Sequence, residues 1–136
     1  MDKKEVLEFI KAHSICHLAT VADGAPRVRA MGLYRVDEDG IIIQTWKDKD
    51  LGQQLDRNPQ VEMCFNDYKA NVQVRVRGEV EPFGDAAELE QVGVVRPSLK
   101  KFIESGHRLV LYRLKKGRAH IWTMAQNFDP KTFVEL

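Results

Sequence analysis

Apolar and polar residues alternate without interruption between Val72 and Glu81. Valine or glycine fills every even position from 72 to 80, and Gln, Arg or Glu fills every odd position from 73 to 81. Successive side chains of a strand point to opposite faces, so the pattern predicts a strand with one buried and one solvated face. One-sided burial of this kind is typical of antiparallel sheets. The chain is therefore expected to fold around an antiparallel sheet.

The rest of the chain supplies more strands than helices. Six further stretches have strand character, and short turns such as Asp23-Gly24 and Asp39-Gly40 join several of them. These stretches are about 15–21, 27–36, 41–46, 61–66, 108–114 and 119–123. Short helices are predicted near residues 2–13, 49–57, 85–92 and 98–103. About seven strands with few helices predict a mainly β fold, an antiparallel barrel with short flanking helices.

The composition limits what the chain can do. Its 136 residues fit the size of one domain, so residues 1–136 are predicted to form a single domain. Lys and Arg total 21 against 20 for Asp and Glu, which gives no general attraction to nucleic acid or anionic membranes. No apolar run approaches membrane-spanning length, and we expect a cytoplasmic protein. Cys16 and Cys64 lack metal-site spacing and are predicted to be small core residues, so no metal site is expected.

Basic residues gather between Arg27 and Lys49. Arg27 and Arg29 share one face of the second predicted strand, just after a turn, where guanidinium groups can grip phosphate oxygens. A solvated strand edge explains this pair equally well. Lys47 and Lys49 favour a phosphate, because Lys49 falls in the first turn of a predicted helix, where free N–H groups and the helix dipole attract anions. The sequence therefore predicts a local anion site.

Three segments carry a family resemblance. They are PRVRAMG, QTWKDKDLGQQL leading into NPQVEM, and the tail IWTMAQNFDPKTFVEL. Together they resemble the pyridoxamine 5'-phosphate oxidase-like, FMN-binding split-barrel family, and the tail is similar to that of its small bacterial members, including the branch related to nitroimidazole-resistance proteins. The resemblance implies a Greek-key-like split barrel. It also implies a homodimer with two FMN molecules in clefts between the subunits.

The residues implied to bind FMN fall into two groups. The first group would hold the phosphate, the ribityl chain and the ring, and it consists of Arg27, Arg29, Met31, Gln44, Thr45, Trp46 and Lys49. The second group lies in the closing segment, which in such dimers covers the flavin of the other subunit, and it consists of Trp122, Gln126 and Asn127. A flavin ring needs a flat apolar wall, a role that suits the two tryptophans. Each tryptophan also fits a core or a dimer interface.

The predicted function is flavin chemistry. The resemblance implies an FMN-dependent oxidoreductase that moves hydride or electrons between a reduced nicotinamide and a small oxidised acceptor. Oxidation of pyridoxine phosphate itself is not expected, because true pyridoxamine phosphate oxidases resemble one another in a C-terminal segment with Arg and His, and this tail has neither after Trp122. A flavin carrier without its own substrate is an open alternative, and so is the same barrel with haem or a deazaflavin.

No side chain stands out as a catalytic group. His107 falls in a predicted turn and is expected to be solvated, and no serine or carboxylate pair has the context of a nucleophile or an acid–base pair. Catalytic residues are therefore not assigned. Arg75 and Arg77 are predicted to be a solvated or ion-paired surface, with a dimer interface or a contact to the partner's cofactor as the alternatives.

Overall fold

The computed structural model describes all 136 residues, which form four α-helices and ten strands. The helices are α1 (Lys3–Ala12), α2 (Asp50–Arg57), α3 (Ala86–Val95) and α4 (Lys100–Glu104). The strands are β1 (Ile15–Ala22), β2 (Ala25–Gly32), β3 (Arg35–Asp37), β4 (Gly40–Trp46), β5 (Gln60–Asp67), β6 (Val72–Glu79), β7 (Glu81–Phe83), β8 (Leu109–Leu114), β9 (Gly117–Thr123) and β10 (Val134–Glu135). Two short 3₁₀ turns, Pro97–Leu99 and Met124–Gln126, follow α3 and β9.

The strands form two antiparallel sheets. One has six strands in the order β10-β9-β6-β5-β1-β2, and the other has four in the order β3-β4-β8-β7. Every strand pair in both sheets is antiparallel. The predicted mainly β, antiparallel split barrel is therefore confirmed.

Two of the predicted strands each continue from one sheet into the other, which explains why there are ten strands rather than about seven. The predicted strand 27–36 is divided at Leu33 into β2 and β3. The N–H of Leu33 donates to the carbonyl of Ser14, just before β1 of the six-stranded sheet. The N–H of the next residue, Tyr34, donates to the carbonyl of Ile42 in β4 of the four-stranded sheet. The alternating strand is divided in the same way at Val80, between β6 and β7. Leu33 and Val80 are both buried at these corners, so apolar burial fixes where the chain changes sheet. The tail adds the tenth strand, β10.

Most buried side chains form one core between the sheets. It includes Val74 and Val76 of the alternating strand, which are fully buried as the pattern predicts. Helix α1 adds Val6 and Ile10, and a capping box formed by Asp2 and Glu5 begins the helix. Cys16 is also fully buried, and burial raises the pKa of its thiol to about 11.

A second, smaller cluster lies on the other side of the four-stranded sheet. There Val92 of α3 packs with Ile42 and Leu111. Ile41 and Ile43 face the main core instead, so strand β4 is buried on both faces, as its uniformly apolar sequence predicts. Strand β4 is therefore held rigidly between α3 and the main core. Its last residues reach the candidate site described next.

Candidate functional site

One cleft collects seven of the residues that the resemblance singled out. It has a volume of about 560 Å³ and lies between strand β2, the end of β4 and the start of α2. The seven residues are Arg27, Arg29, Met31, Gln44, Thr45, Trp46 and Lys49. Three residues that the sequence did not indicate, Asp50, Gln54 and Arg96, also line it. A cleft of this size is within the range of small-molecule and cofactor sites.

A larger groove of about 800 Å³ lies elsewhere, beside the turn between β8 and β9. Only two of its eleven lining residues are apolar, and most of the others are charged. A planar organic ligand needs an apolar wall in addition to a few polar groups. The smaller cleft offers both, so it is the better candidate despite its size.

The connection between β4 and α2 shapes the basic end of the cleft. The N–H of Lys49 donates to the carbonyl of Trp46 over 3.1 Å, which turns the chain directly from the strand into the helix. Gly52 then lies so close to this turn that a Cβ atom would overlap the Trp46 carbonyl oxygen. Only glycine allows α2 to approach β4 this closely. The close approach places the helix start against strand β2 and its arginines.

Arg29 is fixed at this end entirely by neutral acceptors. Its guanidinium donates to Thr20 Oγ1 over 2.8 Å, to the Leu18 carbonyl over 3.2 Å and to Gln54 Oε1 over 2.5 Å. Thr20 in turn donates to Gln54 over 2.7 Å. Burial lowers the pKa of Arg29, and the nearby Asp50 acts in the opposite direction. The cleft thus holds an oriented, partly buried positive charge that forms no salt bridge.

Arg27 and Lys49 are the two exposed cations beside Arg29. Arg27 is exposed, and its only side-chain hydrogen bond goes to the carbonyl of the preceding Pro26. Lys49 is exposed too, and its side chain makes no capping bond. It occupies the N-cap position, one residue before α2 begins at Asp50, whereas the sequence predicted it in the first turn of the helix. Helix N-termini attract anions through free N–H groups and the helix dipole. Three cations against the single carboxylate of Asp50 leave this end clearly positive.

Strand β4 lines the cleft with an indole and an amide. Trp46 lines the cleft, and its ring packs edge-on against Phe102 and His107, with centroids 5.9 and 6.2 Å away. Gln44 presents its side-chain amide nearby. Thr45 is only 3% exposed, so little of its side chain is open to a ligand. Together the indole and the amide can hold a flat ring and hydrogen-bond its polar edge.

Arg96 is the functional candidate that sequence reasoning missed. It caps the C-terminus of α3 and reaches back into the cleft, where it donates to Gln44 Oε1 over 2.8 Å and to the Leu33 carbonyl over 2.7 Å. Its guanidinium also lies 5.5 Å from the centre of the Tyr34 ring. Like Arg29, it forms no salt bridge. No local sequence signal marks it, because its partners lie more than 50 positions earlier in the chain.

Trp122 and Asn127 lie away from this cleft. They contact each other, with Trp122 Nε1 donating to Asn127 Oδ1 over 2.8 Å. Trp122 belongs to β9, and three strands separate β9 from β2 in the six-stranded sheet. Neighbouring strands are about 4.8 Å apart, so the two strands are roughly 19 Å apart. Within one chain, the structure does not bring these two residues to the other seven.

His107 is exposed, as the sequence predicts, and it is also paired with a carboxylate that the sequence did not indicate. Its Nδ1 lies 2.6 Å from Asp48 Oδ2, and this hydrogen bond is the main reason that the pKa of Asp48 lies below its ordinary value. The tertiary fold brings the two residues together from the loops before β8 and after β4. The pair therefore fastens the end of the helical segment beside the Trp46 ring.

Metal ligands and membrane-spanning helices are not features of this fold. No group of three or more His, Cys, Asp or Glu side chains is arranged to hold a metal ion. No helix has both the length and the apolar character needed to cross a lipid bilayer.

The sequence of the chain matches a known protein family. A family model described as pyridoxamine 5'-phosphate oxidase matches residues 2–122. The chain belongs to the pyridoxamine 5'-phosphate oxidase family. Among curated members, the pyridoxine/pyridoxamine 5'-phosphate oxidase of Maricaulis maris is 47% identical over 66 residues, which are 48% of this chain and 30% of that protein. The chain thus matches only about a third of such a relative's length.

Solved structures of other proteins share the fold along nearly the whole chain. A NimC/NimA family protein from Clostridium acetobutylicum has a TM-score of 0.77 and 26% identity, covering 98% of this chain and 92% of that one. A FAD-binding protein from Mesorhizobium loti has a TM-score of 0.65 and 13% identity, covering 90% and 96%. Both likenesses show the fold, and the NimC/NimA family protein agrees with the predicted family resemblance.

Proposed function

We propose that this pyridoxamine 5'-phosphate oxidase family member binds FMN in the cleft between β2, β4 and α2. In this proposal it acts as an oxidoreductase that moves hydride or electrons from a reduced nicotinamide to a small oxidised acceptor. The observation that carries the proposal is Arg29, a guanidinium held in place by neutral acceptors and left without a counter-ion. Arg29 is partly buried and forms no salt bridge, although Asp50 lies nearby, so an anionic ligand would offset the cost of its burial.

The residues present fit the parts of FMN. Arg29, with Arg27 and Lys49 beside it, offers a phosphate several charge-assisted hydrogen bonds. Trp46 offers the ring an apolar surface, and Gln44 offers its polar edge a hydrogen-bonding amide. When bound, the flavin supplies the hydride and electron transfer that no side chain of the cleft can perform. The chain's own part is to orient the cofactor and to neutralise its phosphate.

Arg96 extends the positive charge to the ring end. Its guanidinium already forms two hydrogen bonds with Gln44 and the Leu33 carbonyl, so it can fix the amide that faces the ring. Its remaining N–H groups have no acceptor within the chain. We infer that it attracts a second negatively charged group, belonging to the electron donor or to the acceptor.

A homodimer completes the site in this proposal. A single chain lines the cleft but does not cover it with Trp122 and Asn127, the residues that the resemblance implies as its cover. Trp122 is in β9, which lies roughly 19 Å from β2 across the sheet, and Asn127 follows β9. A second copy related by a two-fold axis supplies them to each cleft at once. FMN is therefore expected to bind well only to the dimer.

The cleft favours flavin over haem. Haem iron is usually held by His, Cys, Met or Tyr, and the only such residue lining the cleft is Met31. Oxidation of pyridoxine phosphate remains outside the proposal, because the match covers only about a third of the length of the curated oxidases.

FMN titration tests the binding proposal directly. Purified protein is titrated with FMN while flavin absorbance and fluorescence are recorded, and saturation in the micromolar range or below is expected. Arg29→Gln should weaken binding at least about tenfold, since a hydrogen bond to a charged group contributes about 1.5 kcal/mol or more. Lys116→Gln removes the same charge from the exposed turn between β8 and β9 and should leave affinity unchanged. Failure of the wild-type protein to bind micromolar FMN would refute the proposal.

Stopped-flow reduction separates an enzyme from a carrier. The FMN complex is mixed with NADH or NADPH, and the loss of the visible absorbance of the oxidised flavin is followed. Rapid bleaching supports the oxidoreductase. Bound flavin that neither nucleotide reduces would leave a flavin carrier as the better description.

A further inference from the structure

A second hollow begins where the proposed phosphate site ends. It has a volume of about 370 Å³ and lies between the turn that joins β1 to β2 and the C-terminal half of α2. Three residues, Arg27, Asp50 and Gln54, line both this hollow and the candidate cleft. Arg27 is one of the cations that the proposed function assigns to the phosphate. The second hollow is therefore a continuation of the cleft at its basic end.

The cleft and the second hollow form one trough between β2 and α2. Along β2, the residues of the cleft run from Gly32 to Arg27, and the second hollow continues from Arg27 to Gly24. Along α2, the cleft is lined near the start of the helix, and the second hollow extends to Arg57 and Asn58. Residues in a strand are about 3.4 Å apart, so the trough follows β2 for roughly 24 Å. A dinucleotide, which consists of two nucleotides joined end to end, matches a trough of two parts.

A tight turn builds the far wall of the second hollow. Asp23 and Gly24 join β1 to β2, with Ala22 paired directly to Ala25. Both turn residues have positive φ angles, 52° and 75°, which is the backbone geometry that a two-residue hairpin needs. The wall is thus fixed by the hairpin itself and does not depend on a ligand.

Four charged side chains of the second hollow have no ionic partner within the chain. Arg27, Arg57, Asp23 and Asp50 all line it, and none of them forms a salt bridge. Arginine pairs well with phosphate oxygens, often through two parallel hydrogen bonds. Carboxylates in dinucleotide-binding folds accept hydrogen bonds from ribose hydroxyls. Arginines and aspartates together therefore suit a sugar phosphate better than a simple anion.

Side-chain amides add free hydrogen-bond donors to the second hollow. Gln54 accepts two hydrogen bonds through its oxygen, so its NH₂ group is left to donate elsewhere. Asn58 likewise accepts the N–H of Gln60 over 3.1 Å through its oxygen. Gln53 is exposed and lines the hollow as well. Such NH₂ groups can donate to phosphate oxygens and to the ring nitrogens of a base.

The second hollow is too polar for the flavin ring itself. Only Val21 and Ala22 among its ten lining residues are apolar, so it lacks the apolar wall that a flavin ring needs, as the 800 Å³ groove does. Ribose and phosphate are polar and need no such wall, and a purine base can stack on the exposed guanidinium of Arg57. Unlike the groove, this hollow adjoins a site where a phosphate is already proposed.

We propose that the second hollow is a subsite for the adenylate half of a dinucleotide whose other half lies in the candidate cleft. Arg27, at the junction, then faces the pyrophosphate that joins the two halves, and Arg57 holds the adenylate. Two compounds carry this half: FAD, as an extended form of the flavin cofactor, and the nicotinamide dinucleotide that donates electrons. This inference rests on the proposed flavin site and adds the part of the ligand that the cleft itself does not hold.

Flavin titration tests FAD as the source of the adenylate. Affinities for FMN and FAD are measured by quenching of tryptophan fluorescence in the wild-type protein and in Arg57→Gln. The wild type should bind FAD at least about tenfold more tightly than FMN, as for a gain of one charge-assisted hydrogen bond. Arg57→Gln should lose this preference while its affinity for FMN stays unchanged. Lys116→Gln, on the exposed turn between β8 and β9, should keep the preference.

Calorimetry tests the nicotinamide dinucleotide as the source. NAD⁺ and nicotinamide mononucleotide are titrated into the FMN complex, and because both are oxidised the flavin is not reduced. If the electron donor supplies the adenylate, NAD⁺ should bind at least about tenfold more tightly than the mononucleotide. Arg57→Gln should remove this difference. The measurement reports binding alone and does not depend on turnover.

The outcomes separate the subsite from the proposed function. A preference for FAD over FMN, or for NAD⁺ over nicotinamide mononucleotide, supports the subsite and identifies its source when Arg57→Gln abolishes it. A protein that binds FMN but shows neither preference, or keeps its preference in Arg57→Gln, would overturn the subsite and leave the flavin site standing. Binding of neither FMN nor FAD would refute the proposed function, and the subsite with it.

Discussion

Arg29 shows how a single residue can be prepared for a ligand. Three neutral oxygens orient its guanidinium, and none of them neutralises it. An internal carboxylate would have stabilised the side chain more strongly, but it would also have competed with an incoming anion. Arg27, two positions earlier, has the same chemistry without this support, since it contacts only its neighbour's carbonyl. The two arginines therefore differ in preorganisation rather than in charge.

This difference predicts unequal effects of matched substitutions. Arg29→Gln should weaken FMN binding at least about tenfold, whereas Arg27→Gln should weaken it less than about threefold, as is usual for an exposed ion pair. Fluorescence titration of the two variants side by side measures the ratio. Equal losses would show that the hydrogen bonds around Arg29 contribute nothing to binding.

Tyr112 is the clearest case of a buried polar group with a structural role. It is 1% exposed and its hydroxyl donates to Asp56 Oδ1 over 2.6 Å, which fastens α2 to strand β8. Tyr112→Phe should reduce the free energy of unfolding by about 1–2 kcal/mol, as for a hydrogen bond to a partly solvated charged group. Urea denaturation provides the measurement, and an unchanged midpoint would contradict this role.

Tyr112 also makes the stability of the folded state decrease at high pH. Burial, and then the neighbouring Asp56, raise the pKa of Tyr112 above its ordinary value. The unfolded chain therefore loses this proton first as the pH rises above about 10, and the folded state loses stability from there upward. Chemical denaturation between pH 8 and about 11 should show the decline, and Tyr112→Phe should show a smaller one.

The junction of β4 and α2 is the element on which the cleft depends. Gly52 and Gly93 are both helical glycines, yet a Cβ atom at Gly52 would overlap the Trp46 carbonyl, whereas one at Gly93 would meet no atom within 4 Å. This contrast offers a matched pair of substitutions. It separates the helix propensity of alanine from the need for close packing.

Alanine at the two positions should have opposite effects. Gly52→Ala should destabilise the fold by about 1–3 kcal/mol through overpacking and should weaken FMN binding, because α2 must move away from β4. Gly93→Ala should stabilise the fold by about 0.5–1 kcal/mol through helix propensity. Thermal denaturation and FMN titration of both variants test this. Stabilisation by both substitutions would refute the close approach.

The strands were more predictable than their division between the sheets. Alternation identifies 72–80 as a strand, because one-sided burial leaves a direct imprint on the sequence. The corners at Leu33 and Val80 leave no such imprint, since a buried residue at a corner looks like any other buried strand residue. Arg96 and the His107–Asp48 pair were missed for a related reason. Their contacts depend on how distant elements pack, which a local pattern does not encode.

At the scale of the whole molecule, FMN binding is expected to stabilise the folded state. A ligand that binds only the folded state stabilises it by an amount set by concentration and affinity, about 2.7 kcal/mol at a concentration of 100 times Kd. For a protein of this size we expect FMN at that concentration to raise the Tm by roughly 5–10 °C. Differential scanning fluorimetry with a dye-free readout measures the shift. Riboflavin, which lacks the phosphate, should give a much smaller one.

Strand β2 lies at the end of the six-stranded sheet and pairs only with β1. Its outer edge therefore presents unpaired backbone groups, which in many proteins recruit strands from other molecules and start aggregation. Arg27, Arg29 and the adjacent Lys49 place like charges along this edge, and such charges act as gatekeepers against aberrant pairing. The cations of the cleft thus also protect solubility, so a protein engineer who neutralises them should compensate with charge elsewhere on β2.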